Sequence, residues 1–160
     1  MATVNLSDYK PLSLSNADEY SIGIVVSEWN DFVTFNMRDG ALEVLHKEGI
    51  RKENIKVFYV PGAFELSFAA MQMCKSNRFA AVIAIGCVIR GETPHFDYVC
   101  SAVAHGIKDC NTLTKTPTIF CVLTDDTKEQ SIARSGGTLG NKGIEAAVTA
   151  IKMIQFNNKV

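Results

Sequence analysis

Four short apolar runs, rich in β-branched residues, punctuate the chain at positions 21–26, 55–60, 80–85 and 117–123. Each has the length of a buried strand, and the run at 80–85 has no polar position, as a strand covered on both faces requires. Between the runs, apolar residues recur at helical spacing. The first such stretch puts Phe32, Phe35, Leu42 and Leu45 on one face, with Asn30 or Asp31 as its cap and Gly49 at its end. The second carries Leu66, Ala69, Ala70 and Met73 and ends near Cys74. The third runs from about His95 to Leu113. Positions 124–127 cap a short helix containing Arg134, positions 136–140 form a glycine-rich break, and Asn141 caps a last helix. That helix places Ile144, Ala147, Val148, Ile151 and Ile154 on one face.

Strand–helix alternation of this kind predicts parallel strands joined by right-handed crossovers, with helices on both faces of the sheet. The expected architecture is a three-layer α/β/α domain over residues 21–160 with a four-stranded parallel sheet. Residues 1–20 are polar and contain Pro11; they form an N-terminal arm, either mobile or added to the sheet as an edge strand. Ligands of such sheets bind outside the carboxyl ends of the strands. Segments 27–30, 61–65, 86–95 and 124–127 all follow strands, so they share one edge, where the chain's special residues concentrate.

Composition narrows the function. A chain of 160 residues, 47% of them hydrophobic, suits one globular domain with a sizeable core. Lysine and arginine number 16 against 17 acids, which argues against non-specific binding to nucleic acid or anionic membranes. No apolar run reaches transmembrane length, and the N-terminus lacks the pattern of a signal peptide. The five cysteines are odd in number and without a C-x-x-C pair, which points to reduced thiols and a cytoplasmic protein.

The stretch Gly86-Cys87-Val88-Ile89-Arg90-Gly91-Glu92-Thr93-Pro94-His95-Phe96-Asp97-Tyr98 organises the chemistry. Its glycines and proline are expected to end the strand after Ile85 and open a helix at His95. Backbone N–H groups in such a turn can hold an anion. Thr93 and the main chain at Glu92 suit a phosphate, whereas the Glu92 carboxylate would repel it. The plain alternative is a surface loop with an Arg90–Glu92 ion pair. His95 can take a proton and return it, or be a solvated surface histidine. Trp29 is either a packed lid or a ring that stacks on a planar heterocycle. In Ala63-Phe64-Glu65, Glu65 either complements a helix dipole or hydrogen-bonds a polar ligand. Phe120 lies inside a strand, where core is the default. Arg134 is solvated unless a phosphate is near, when it becomes a natural bidentate partner, with Lys142 as a supporting charge. His46 and His105 fall on solvated helix faces, and no spacing fits a metal site.

Taken together, the motifs Trp29-Asn30, Pro61-Gly62-Ala63-Phe64-Glu65, residues 88–98, Phe120 with Leu123-Thr124, and Gly140-Asn141-Lys142-Gly143 resemble lumazine synthase of riboflavin biosynthesis. The resemblance runs from about Ser21 to Ile154. It implies a flavodoxin-like fold and condensation of 5-amino-6-(D-ribitylamino)uracil with 3,4-dihydroxy-2-butanone 4-phosphate to 6,7-dimethyl-8-ribityllumazine. By the same resemblance, the pyrimidine stacks on Trp29 and is held by Ala63, Phe64, Glu65, Cys87, Val88, Ile89 and Phe120. The phosphate rests at Glu92 and Thr93 with Arg134, and His95 transfers protons. No cofactor and no metal are implied. Members form pentamers, some of them twelve to an icosahedral shell, with sites between subunits and the Phe120 and Arg134 equivalents supplied by the neighbour. Riboflavin synthase is the implied protein partner.

Some positions depart from the family pattern. Trp29 stands where many members have phenylalanine, Ser67 where proline is usual, and Thr138 where some have lysine. Positions 134–141 carry no insertion of the kind associated with isolated pentamers, which permits the 60-subunit shell. Two readings from other classes are a non-catalytic flavin or lumazine carrier and a shell protein with an inert site.

Overall fold

The computed structural model describes residues 7–160. Its sheet contains β1 (Ile22–Ser27), β2 (Ile55–Val60), β3 (Ala81–Ile89) and β4 (Thr118–Asp125), all parallel, in the order β2-β1-β3-β4. The helices are α1 (Asp31–Lys47), α2 (Leu66–Lys75), α3 (His95–Leu113), α4 (Lys128–Arg134) and α5 (Lys142–Asn157). Helices α1 and α5 cover one face, packing Val33, Met37, Ala147 and Ile151 against Ile24, Ile83 and Ile85. Helices α2 and α3 cover the other, with Leu66, Ala70, Val103 and Ile107 against Val25, Val82 and Ala84. Successive strand residues face opposite layers, so a central strand buried on both sides has to be apolar throughout. This three-layer arrangement is flavodoxin-like, as expected.

Several local expectations are corrected. Strand β3 does not stop at Gly86; it pairs with β4 as far as Ile89 opposite Asp125. A Cβ on Gly86 would stand 2.7 Å from Leu66 Cδ1, so this glycine admits α2 close to the sheet and makes no turn. The fully buried face of α1 is Val33, Met37, Ala41, Val44 and Leu45; of the expected face only Leu45 belongs to it, while Phe35 and Leu42 pack half-buried at the edge of the core and Phe32 is exposed. Close approach of α5 is the reason: a Cβ on Gly143 would lie 1.7 Å from the Met37 carbonyl oxygen, leaving no room there for aromatic rings. Phe35 instead packs edge-on against Tyr59 at 5.6 Å, under the Arg38 guanidinium. The glycine-rich break is a small antiparallel ribbon of β5 (Ser135–Gly137) and β6 (Gly140–Asn141).

Other boundaries agree. Gly49 has φ 92° just after α1, Thr127 caps α4 by accepting from Gln130 N–H, and Asn141 caps α5 by accepting from Gly143 N–H. The N-terminal arm contains no strand among its described residues 7–20, and positions 1–6 lie outside the described residues. The described part is packed down: Leu14 and Ala17 join the core, and Leu12 bonds to both Glu48 and Gln155.

Candidate active site

The carboxyl ends of β1 and β3 open into a cleft of about 590 Å³. Backbone bonds build its rim: Glu28 N–H donates to Val60 O at 2.8 Å, and Trp29 N–H to Pro61 O at 2.9 Å. The loop after β1 is thereby tied to the loop after β2. The indole of Trp29 lies against Gly62, where a Cβ would come within 2.6 Å of the ring. Gly62 N–H in turn donates to Glu65 Oε2 at 3.1 Å, which holds the Ala63-Phe64-Glu65 turn that forms one wall.

Cys87, Val88 and Ile89, the last turns of β3, form the floor, and His95 closes the far side from the first turn of α3. Burial pushes the Cys87 thiol up to about 11, so the thiol stays protonated, and it donates to Ser131 Oγ at 3.5 Å. Glu92 and Thr93 lie between floor and histidine, exposed, on the loop that leads into α3. Eight of the residues singled out in sequence therefore line one cleft, and Glu92 and Thr93 are not among its lining residues.

Three residues lie elsewhere in the chain. Phe120, 44% exposed, faces a separate groove of about 460 Å³ along β4. Lys142 lines that groove too, with its ammonium held by Glu145 at 2.8 and 2.9 Å. Arg134, at the end of α4, donates to Gln130 O at 2.9 Å and stands 3.9 Å from Asp125. The Arg90–Glu92 pair of the plain alternative does not form, because Arg90 binds Asp97 and Asp126.

Asn30, Tyr98 and Val99 also line the cleft, although none of them was assigned to ligand binding from the sequence. Asn30 was expected as a cap. It has φ 61°, and its side chain makes no capping bond; Nδ2 donates to Cys87 O at 3.0 Å, tying the Trp29 loop to the floor. Tyr98 and Val99 follow His95 by three and four positions, so helical period alone places them on its face.

All five cysteines are free. Among the described residues no three His, Cys, Asp or Glu side chains converge as a metal site, and no helix is long and apolar enough to cross a membrane. A cleft with an indole on one side, strand-end backbone as floor and an imidazole opposite can hold a flat heterocycle and move protons on it.

Comparison with known proteins agrees with this geometry. The family model for 6,7-dimethyl-8-ribityllumazine synthase matches residues 19–158. The chain is 52% identical to the 6,7-dimethyl-8-ribityllumazine synthase of Parabacteroides distasonis, over 98% of this chain and 99% of that protein. It is 51% identical to the enzyme of that name from Phocaeicola vulgatus, over 100% of this chain and 96% of the relative. For the Flavobacterium psychrophilum enzyme the figures are 52%, 95% and 80%. With the match spanning strands, cleft and helices alike, the chain belongs to the 6,7-dimethyl-8-ribityllumazine synthase family.

Proposed function

We propose that this protein condenses 5-amino-6-(D-ribitylamino)uracil with 3,4-dihydroxy-2-butanone 4-phosphate to give 6,7-dimethyl-8-ribityllumazine, phosphate and water. The observation that carries this reading is the convergence of Trp29, the Ala63–Glu65 turn, the strand end at Cys87–Ile89 and His95 on one cleft. The pyrimidine stacks on Trp29, and its polar edge meets the main chain of Ala63, Phe64, Cys87, Val88 and Ile89 and the Glu65 carboxylate. The butanone phosphate lies toward Glu92 and Thr93, whose backbone N–H groups and hydroxyl receive the anion.

Chemistry then needs little beyond placement and proton transfer. The pyrimidine amine attacks the ketone carbon, and the carbinolamine loses water to give an imine. Loss of the C3 proton and of phosphate from C4 leaves an enol that tautomerises to a C3 ketone, and the ribitylamino nitrogen closes on that carbon with loss of a second water. Holding both reactants side by side supplies much of the rate gain. His95 takes the proton of the attacking amine and delivers protons to the leaving oxygens. Arg134 stabilises the departing phosphate.

Neither Phe120 nor Arg134 lines the cleft of its own chain, which supports a site completed by a neighbouring subunit. We infer a homo-oligomer, a pentamer or twelve pentamers in a shell, in which each chain lends these two residues to the next. Lys142, held by Glu145, then stands behind Phe120 as a supporting residue. The free cysteines fit a cytoplasmic enzyme, with riboflavin synthase as the enzyme that takes up the product.

The test is direct. Purified protein is mixed with both substrates, and lumazine formation is followed against the uncatalysed reaction, with His95→Ala and Arg134→Ala alongside. Fast product formation that falls in both variants is expected. Product at the background rate from the unmodified protein would overturn the reading.

A further inference from the structure

Arg90 is the first residue beyond β3, next along the chain from the cleft-lining Ile89, and each of its three guanidinium nitrogens donates to a neighbouring carboxylate. Nε donates to Asp126 Oδ1 at 2.7 Å, and Nη1 and Nη2 donate to the two Asp97 oxygens at 3.3 and 3.1 Å. The same guanidinium stacks on the Phe96 ring, 4.1 Å from its centroid. The backbone N–H of Arg90 donates to Asp125 O at 3.0 Å. One residue thus joins three segments: the end of β3, the first turn of α3 and the loop between β4 and α4.

Phe96 and Asp97 are the two residues that follow His95. The first turn of α3 has no side-chain cap, since Pro94 at the cap position provides none. A helix start without a cap has little of its own to fix its rotation. We propose that Arg90 is a positioning residue for the reaction: by gripping Asp97 and Phe96 it fixes the rotation of the first turn of α3, and with it the place of the His95 imidazole over the cleft. This rests on the role of His95 proposed above.

Two other roles are open to an arginine here, and each makes a different prediction. A phosphate ligand needs a free donor fork, whereas this one is already matched by two carboxylates. A plain surface ion pair adds little to stability and nothing to turnover.

Steady-state kinetics with both substrates separate the three. The variants are Arg90→Met, Arg90→Lys, Asp97→Asn, the double Arg90→Met/Asp97→Asn, and His95→Ala. Arg90→Met is expected to lower kcat by about ten- to a hundredfold, the cost of a misplaced catalytic group. KM for each substrate, and competitive inhibition by inorganic phosphate, stay within about twofold, because ground-state binding is untouched. Arg90→Lys recovers part of the loss, since lysine keeps the charge but not the fork. Asp97→Asn lowers kcat in the same direction, and the double variant falls little further than Arg90→Met, as residues of one unit do.

A raised KM for the butanone phosphate with lost phosphate inhibition would overturn the proposal in favour of a phosphate ligand. Unchanged kcat with a lower melting temperature would overturn it in favour of a surface strut. Arg90 is exposed, with 41% of its side chain accessible, so its variants are expected to fold, and circular dichroism checks this. Full activity in His95→Ala would remove the proton-transfer reading itself. An impaired His95→Ala beside a normal Arg90→Met would sink the positioning role alone.

Discussion

Trp29 is the only tryptophan of the chain, and its side chain is 68% exposed beside the cleft. Its fluorescence therefore reports on the cleft without interference. Titration with the ribitylaminopyrimidine is expected to quench it, and an unquenched signal at saturation would count against stacking. Trp29→Ala is expected to weaken pyrimidine binding about tenfold, the scale of one lost aromatic contact, whereas Trp29→Phe keeps most of the affinity. Cysteine chemistry gives a second prediction. Burial pushes the Cys87 thiol up to about 11 and the Cys121 thiol up to about 12, from 9.0. The unfolded chain ionises these thiols first. Their contribution to stability is intact below about pH 9 and declines as pH rises toward those folded values. Denaturation midpoints taken across that range should fall less steeply in a Cys87→Ala/Cys121→Ala variant, and equal slopes would refute the assignment. At this scale the sequence was legible wherever a residue follows a strand, as Trp29, Glu65 and His95 do. Asn30 was misread because its left-handed backbone and its bond to Cys87 are tertiary facts that no local pattern carries.

Elements were legible in number and kind, and less so in the faces they bury. Helix α1 shows why. Its phenylalanines dominate the apolar pattern, yet the packing against α5 selects the small positions. Gly40 abuts Asn141, and Gly143 abuts the backbone at Met37. Gly143→Ala is accordingly expected to cost about 3 kcal/mol or more, because the obstacle is main chain that has no rotamer to escape into. Asn141→Ala should cost about 1 kcal/mol through the lost cap, and more if its bond to Asn36 O also counts. Chemical denaturation of both variants measures this; a Gly143→Ala protein as stable as its parent would refute the close packing of α1 and α5. Strand β3 was read too short for a related reason. A glycine in sequence signals a turn, but Gly86 is there for the Leu66 side chain that crosses it.

For the whole molecule, the parallel pairing of four strands and the edge that carries the chemistry followed from alternation alone, whereas the order β2-β1-β3-β4 is known only from the fold. That Phe120 and Arg134 stand apart from the cleft lining did not follow from spacing; only the resemblance, which gives them to a neighbouring subunit, carried it. If the neighbour supplies them, His95→Ala and Arg134→Ala proteins, each inactive, should complement one another. Unfolded together and reassembled at equal amounts, about a quarter of the sites would regain both groups by random mixing of subunits. Activity near that share is expected, and none at all would show that both residues serve the same chain. The sheet order has one more consequence, and it concerns time. Strand β1 is the first to be synthesised yet lies in the interior, between β2 and β3. Ile22 pairs with Ile55 and with Ala81, roughly sixty residues later. At about 5–20 residues per second on the ribosome, an apolar strand with an open edge waits roughly 3–12 s for its second partner. The birth of this enzyme, more than its mature fold, is where heat or a slowed ribosome would do harm.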